Sequence, residues 1–148
     1  MIEVDNVSPV IAVELVDLPI DMEAIRRAIS HADAGAQIIF EGCTRRLTGS
    51  LVTKYLAYEA YRPMAVKQLR VIAECAREKW SLKRVRVVHR LGLVDVGQAS
   101  IVVGVSSPHR REAFTAVAWI MDEVKSNVAI WKKEFQSDEL SHWVHDDQ

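Results

Sequence analysis

The chain has 148 residues, 49% of them hydrophobic, and balances 19 Lys+Arg against 20 Asp+Glu for a formal net charge of −1. A chain of roughly this size buries about 68–70% of its unfolded surface, enough for one core without staples, so a single domain over residues 1–148 is expected. The near-neutral balance argues against a general nucleic-acid binder, and six Gly, four Pro and 26% charged residues argue against a disordered or collagen-like chain. No apolar run approaches the roughly 18–20 residues that span a bilayer, so no membrane association is expected. Glu3 and Asp5 stand where a signal peptide would carry basic residues, and the expected setting is cytoplasmic.

In chain order, residues 10–15 are short, apolar and β-branched and read as a first strand. Asp21 is placed to cap a helix over residues 22–30. Residues 36–41 read as a strand leading into a loop or hairpin tip over 42–49, and residues 51–59 as the return strand. From Pro63 onward Ala65, Leu69, Ile72, Ala76 and Trp80 recur every three or four residues, which predicts a helix. Strands are expected over 85–90 and 99–106, with Gly92 and Gly97 punctuating a turn between them. A helix over 108–125 follows, capped by Ser107 and burying Phe114, Val117, Ala118, Met121 and Val124. Residues 128–135 form a last strand or extended segment, and the tail beyond is expected to fray. Strands close enough for hairpins, mixed with helices, suggest an α+β fold with helices packed on a mainly antiparallel sheet.

Chemistry concentrates at three places. His109, Arg110 and Arg111 crowd the start of a helix, where the macrodipole already disfavours cations, and an anionic ligand would resolve that conflict. The alternative is that they splay into solvent or pair with acids such as Glu112. Lys125 ends a helix and Lys132 follows Trp131 in an apolar stretch; strand alternation would set Ile130, Lys132 and Glu134 on one face and Trp131, Lys133 and Phe135 on the other. Each lysine alone is ordinary. Two amines held close in a dry pocket repel one another, which favours the neutral form that acts as base or nucleophile. Arg45 and Arg46 follow a glycine-containing turn and could close over an anion. Cys43 lacks a positioned base in the sequence, and His89-Arg90 and Tyr58, Glu59 and Tyr61 read as structural groups. Cys43 and Cys75 are not expected to pair in a reducing setting. His142 and His145, three apart near Asp146 and Asp147, are weak metal spacing, so no metal is expected.

In order along the chain, Gly35-Ala36, Phe40-x-Gly42-x-x-Arg45, Leu56-x-Tyr58-Glu59-Ala60-Tyr61-x-x-Met64-Ala65, Val88-His89-Arg90-x-Gly92, Val96-Gly97, Ser106-Ser107-Pro108-His109-Arg110, Met121-Asp122-x-x-Lys125, Ile130-Trp131-Lys132-Lys133-Glu134 and Trp143 together resemble the large, catalytic subunit of molybdopterin synthase. The set covers nearly the whole chain. The resemblance implies an α/β hammerhead-type fold and a sulfurtransferase that converts cyclic pyranopterin monophosphate to molybdopterin without a metal or other cofactor. It implies a small ubiquitin-like partner whose C-terminal Gly-Gly thiocarboxylate donates sulfur, and a homodimer within a heterotetramer. Carried over by motif, Lys125 and Lys132 are the catalytic lysines. Arg45, His109 and Arg110 hold the anionic substrate, with Cys43, Thr44, Lys132, Lys133 and Glu134 lining the same site. Departures are Ala129 where relatives commonly carry proline, a loop after Arg45 about one residue shorter, and an acidic tail. The rival reading of the residues is a non-catalytic phosphate- or nucleotide-binding module, which needs the cationic helix start but gives no role to the lysine pair.

Overall fold

The computed structural model describes residues 2–5, 10–136 and 141–145, with the backbone alone for 2–5 and 141–145. Two sheets and three helices form an α+β architecture. The first sheet has the order β1(Ile2–Asp5), β2(Ile11–Val16), β6(Arg84–Arg90), β8(Ala99–Ser107), β3(Ala36–Cys43). Its β2–β6 pairing is parallel and its other three pairings are antiparallel. The second sheet runs β10(Ser141–His145), β9(Ile130–Gln136), β5(Leu51–Ala60), β4(Leu47–Thr48), with β7(Gly92–Asp95) also paired to β5.

Helices cover both faces of the first sheet, which is why β6 and β8 are buried along nearly their whole length, β8 as a largely apolar run and β6 with Arg86 and His89 among its valines. On one face α2(Arg62–Trp80) and α3(Arg110–Asn127) pack over Val13, Leu15, Val85, Val87, Val103 and Val105. On the other, the short α1(Met22–Ile29) lays Ile25 against Val16, Val88 and Val102. Its approach requires Gly104, where an added Cβ would stand 2.9 Å from Ile25 Cγ2. Asp21 caps α1, accepting from the Ala24 N–H at 3.1 Å. The helix start at Pro63 falls one residue earlier, at Arg62, and its N-cap Tyr61 makes no side-chain capping bond.

Several expectations are corrected. The third helix begins at Arg110, not Pro108, and its N-cap is His109; Ser107 ends β8 instead, fully buried, and its Oγ accepts from the His109 N–H at 3.4 Å. The buried stripe of α3 is Ala113, Ala116, Val117, Ile120 and Val124, whereas Phe114 is 63% exposed and Ala118 is also exposed. Apolar residues surround this helix, so periodicity alone leaves its phase open; the small Ala113 and Ala116 permit the close approach to the sheet and α2. The 42–49 segment is not all loop: β3 runs on through Cys43, and β4 makes a tight hairpin with β5 around Gly49, which takes φ 62°. The turn expected at 92–97 contains β7, which begins at the positive-φ Gly92 and is followed by the positive-φ Gly97. Residues 141–145 do not fray but pair with β9, His142 opposite Glu134 and His145 opposite Trp131. The side chains of His142 and His145, and Asp146 and Asp147, lie outside the described residues. Cys43 and Cys75 are both free thiols.

Candidate active site

A cavity of about 440 Å³ opens where the end of β3, the last turn of α3 and the face of the second sheet meet. Lys125 reaches it from α3, at the carbonyl end of the helix, where the dipole favours a cation. Lys132 and Glu134 reach it from β9, opposite Tyr58 and Leu56 of β5. Strand alternation explains the selection: Ile130, Lys132 and Glu134 face inward while Trp131 is exposed. Arg45 and Cys43 enter from the segment after β3. Among the described residues, three cations line the cavity against one carboxylate, the balance that an anionic molecule would neutralise.

Backbone bonds hold these side chains in place. The Thr44 N–H donates to Gln98 O at 3.0 Å, its carbonyl accepts from Gly97 N–H at 2.9 Å, and its buried hydroxyl donates to Val94 O at 3.5 Å. Thr44 thus rivets the Arg45 segment to the β7–β8 turn, and its backbone groups are engaged within the chain. The Thr53 N–H donates to Arg46 O at 2.8 Å and ties the far side to β5. At the entry to β9, the Ala129 N–H donates to Gln68 Oε1 at 2.8 Å and its carbonyl accepts from the Tyr61 N–H at 3.2 Å. A proline there would lack that donor, so the α2 side chain supplies the restraint that this chain's alanine forgoes. Gly42 is required by packing, because an added Cβ would meet Ile101 Cγ2 at 2.7 Å.

The remaining candidates lie elsewhere. Lys133 is absent from the cavity lining and stands over the Phe135 ring at 5.4 Å, which itself stacks on Tyr55. His109 and Arg110 line a separate hollow of about 440 Å³ with Arg111, Glu112, Phe114 and Thr115. Arg110 and Lys125 are at opposite ends of α3, about 22 Å apart along its axis at 1.5 Å per residue. His109 has no side-chain capping bond to the first turn, and Glu112 Oε2 is buried there without a hydrogen-bond partner. His89 is structural: it is 3% exposed, its Nδ1 lies 2.8 Å from Arg90 O, and its ring packs edge-on against Tyr58. Phe40, Tyr58 and Met121 also line the lysine cavity. Of these, Met121 packs against the core, as expected, and also reaches this cavity from one helical turn before Lys125.

A further cavity, of about 470 Å³, lies beneath α1. It is mainly apolar, with Arg86 as its one cation beside Glu14, Asp17 and Asp21. Burial, then the neighbouring Arg84 charge, pushes the Arg86 guanidinium down from its ordinary range, while Glu14 pulls it up. No lysine reaches it, so the lysine-lined cavity is the better place for proton movement.

The fold and cavity define an α+β protein in which two lysines and an arginine line one cavity. The chain belongs to the family described as MoaE protein, whose sequence model matches residues 15–127. It is 39% identical over 133 residues to a Bacillus subtilis protein named molybdopterin synthase catalytic subunit, covering 90% of this chain and 84% of that one. A Drosophila erecta protein of the same name is 44% identical over 134 residues; the match covers 88% of this chain but 36% of the longer fly protein. Among solved structures, the crystal structure of molybdopterin synthase from Staphylococcus aureus superposes with a TM-score of 0.83 at 38% identity, covering 88% of this chain and 94% of that chain.

Proposed function

We propose that this chain is the catalytic subunit of a molybdopterin synthase, converting cyclic pyranopterin monophosphate to molybdopterin. The observation that carries the proposal is the meeting of Lys125 and Lys132, from a helix and a strand, in one cavity with Arg45. A small ubiquitin-like partner would insert its C-terminal Gly-Gly thiocarboxylate there; the relatives' designation as a catalytic subunit supports such a partner. In each of two transfers, the thiocarboxylate sulfur forms a bond to a substrate carbon while a carbon–oxygen bond at that carbon breaks, its oxygen leaving as water or on the phosphate. The acyl–sulfur bond then breaks, and water supplies the oxygen of the partner's carboxylate. Lys125 moves protons near the thiocarboxylate carbonyl, while Lys132 positions the substrate and neutralises developing oxyanions. Glu134, Cys43 and Arg45 line the same space, and Lys133 supports its strand from the opposite face.

His109 and Arg110 belong to the substrate site in this reading, yet α3 holds them far from Lys125 in one chain. The homodimer within the heterotetramer therefore has to bring the two clusters together. A phosphate- or nucleotide-binding module would leave the convergence of the lysines without a role. The test is reconstitution of the chain with a thiocarboxylated Gly-Gly partner and the pterin precursor, assayed for dithiolene. Turnover that disappears in Lys125→Ala, with partner binding kept, is expected; precursor binding without any sulfur product from the intact protein would favour the binding module.

A further inference from the structure

The cavity beneath α1 reverses the polarity of the lysine cavity. At about 470 Å³ it has the size of a small-molecule site, and the two cavities share no lining residue. β6 and β8 separate β2, on its floor, from β3, whose end opens into the lysine cavity. Ala12, Val16, Val88 and Ile25 supply apolar walls, and Leu18, 69% exposed, stands at the rim. Among the described residues, four charged side chains reach this space: Glu14, Asp17, Asp21 and Arg86. Two of the acids are engaged, Asp17 accepting from Arg62 at 2.8 Å and Asp21 from the Ala24 N–H at 3.1 Å. Glu14 and Arg86 form the other pair. In the parallel ladder Glu14 stands opposite Val88 and Arg86 opposite Ala12, so both leave the same sheet face one diagonal step apart. Arg86 is 9% exposed, with its Nη1 donating to Val85 O at 2.9 Å, while Glu14 is half-buried. Glu14 attracts the guanidinium, yet among the described residues the two do not close into an ion pair. A charge is seldom buried so far in an apolar wall. Held beside a carboxylate rather than on it, the five-donor guanidinium shares one face of the cavity with an acceptor.

We propose that this cavity binds a flat, uncharged heterocycle by an amino-oxopyrimidine edge, the edge that guanine and pterin rings share. Glu14 accepts from the ring N–H and the exocyclic amino group, and Arg86 donates to the neighbouring ring carbonyl. The apolar walls take the ring faces. Charge selects against the anions that suit the lysine cavity, because here three carboxylates stand against one guanidinium. An adenine ring is rejected, since it turns an acceptor nitrogen toward Glu14 where the site needs a donor. The site is separate from the proposed sulfur-transfer chemistry and does not rest on it.

Calorimetric titration of the full chain with guanosine, and in a separate arm with unphosphorylated pterin, tests the site. Saturable binding of at least one is expected, and which one binds identifies the ring. Inosine, which lacks the exocyclic amino group, should bind about 10-fold more weakly than guanosine, and adenosine should not bind. Glu14→Gln, which offers an amide N–H₂ in place of an acceptor, should weaken binding about 10-fold or more with unchanged circular dichroism. Ala24→Trp fills the mouth from an exposed position of α1 and should abolish binding without disturbing a buried group. No binding of either ring to the parent protein overturns the proposal. So does binding that survives both variants, or adenosine binding as well as guanosine. Pterin binding that is lost in Lys125→Ala and kept in Glu14→Gln puts the ring in the lysine cavity and overturns it too. Because binding is read without turnover, failure of the sulfur-transfer reading would leave this result standing.

Discussion

Lys125 occupies a position that helix electrostatics alone would favour, so its sequence context does not distinguish a structural from a chemical role. What distinguishes it is company: Lys132 and Arg45 enter the same cavity from two other elements. If Lys125 moves protons, Lys125→Ala should lower turnover by about 10²–10⁴-fold, the range for a general acid or base, with thermal stability kept. Lys125→Arg should not rescue it, since a guanidinium holds its proton. A second residue-scale prediction concerns Gly35, where an added Cβ would stand 2.4 Å from the Pro108 carbonyl oxygen. Backbone cannot yield as a side chain can. Gly35→Ala should cost about 1–3 kcal/mol in denaturant unfolding and displace the adjoining His109. The sequence exposed Gly35 only as part of a motif; the reason for glycine is a close approach between residues far apart in the chain.

At the scale of elements, strands and helices were legible where pattern and capping agreed, as for α1 behind Asp21, the β-branched β6 and the apolar run of β8. They were illegible where tertiary pairing supplies the order. β7 is only four residues, the first of them Gly92, and residues 141–145 are ordered by pairing with β9. The phase of α3 was misread at Phe114 and Ala118, which are as apolar as the residues that face the sheet, whereas half-buried Met121 does pack against the core. One link between elements carries its own prediction. Asp17, just after β2, accepts from Arg62 of α2 at 2.8 Å, and this bond, ahead of the Coulombic attraction, holds its carboxyl below the ordinary 3.8. A depressed carboxylate contributes stability above its unfolded pKa and loses it as pH falls through the folded value. Asp17→Asn should therefore destabilise the protein by a few tenths of a kcal/mol, about 0.2–1 at most for so exposed a pair, at neutral pH. As pH falls from about 3.8 through the lower folded value, the variant and the parent should converge in urea midpoint.

For the whole molecule, the decisive fact is which ends of which elements meet. α3 begins beside Gly35 and ends beside Cys43, so it carries its cation clusters to opposite ends of β3. The sequence displayed both clusters and the alternation that sorts Lys132 from Lys133. It could not show that one chain keeps them apart, because that depends on helix length and on the packing direction over the sheet. Among the described residues, no helix is long and apolar enough to cross a membrane. The most direct measurement is dithiolene formation from the pterin precursor by the purified chain and a thiocarboxylated Gly-Gly partner, run beside Lys125→Ala. The expected result is product from the parent protein and essentially none from a folded, partner-binding variant. Equal rates from the two, or no product from the parent with both reactants bound, would contradict the assignment.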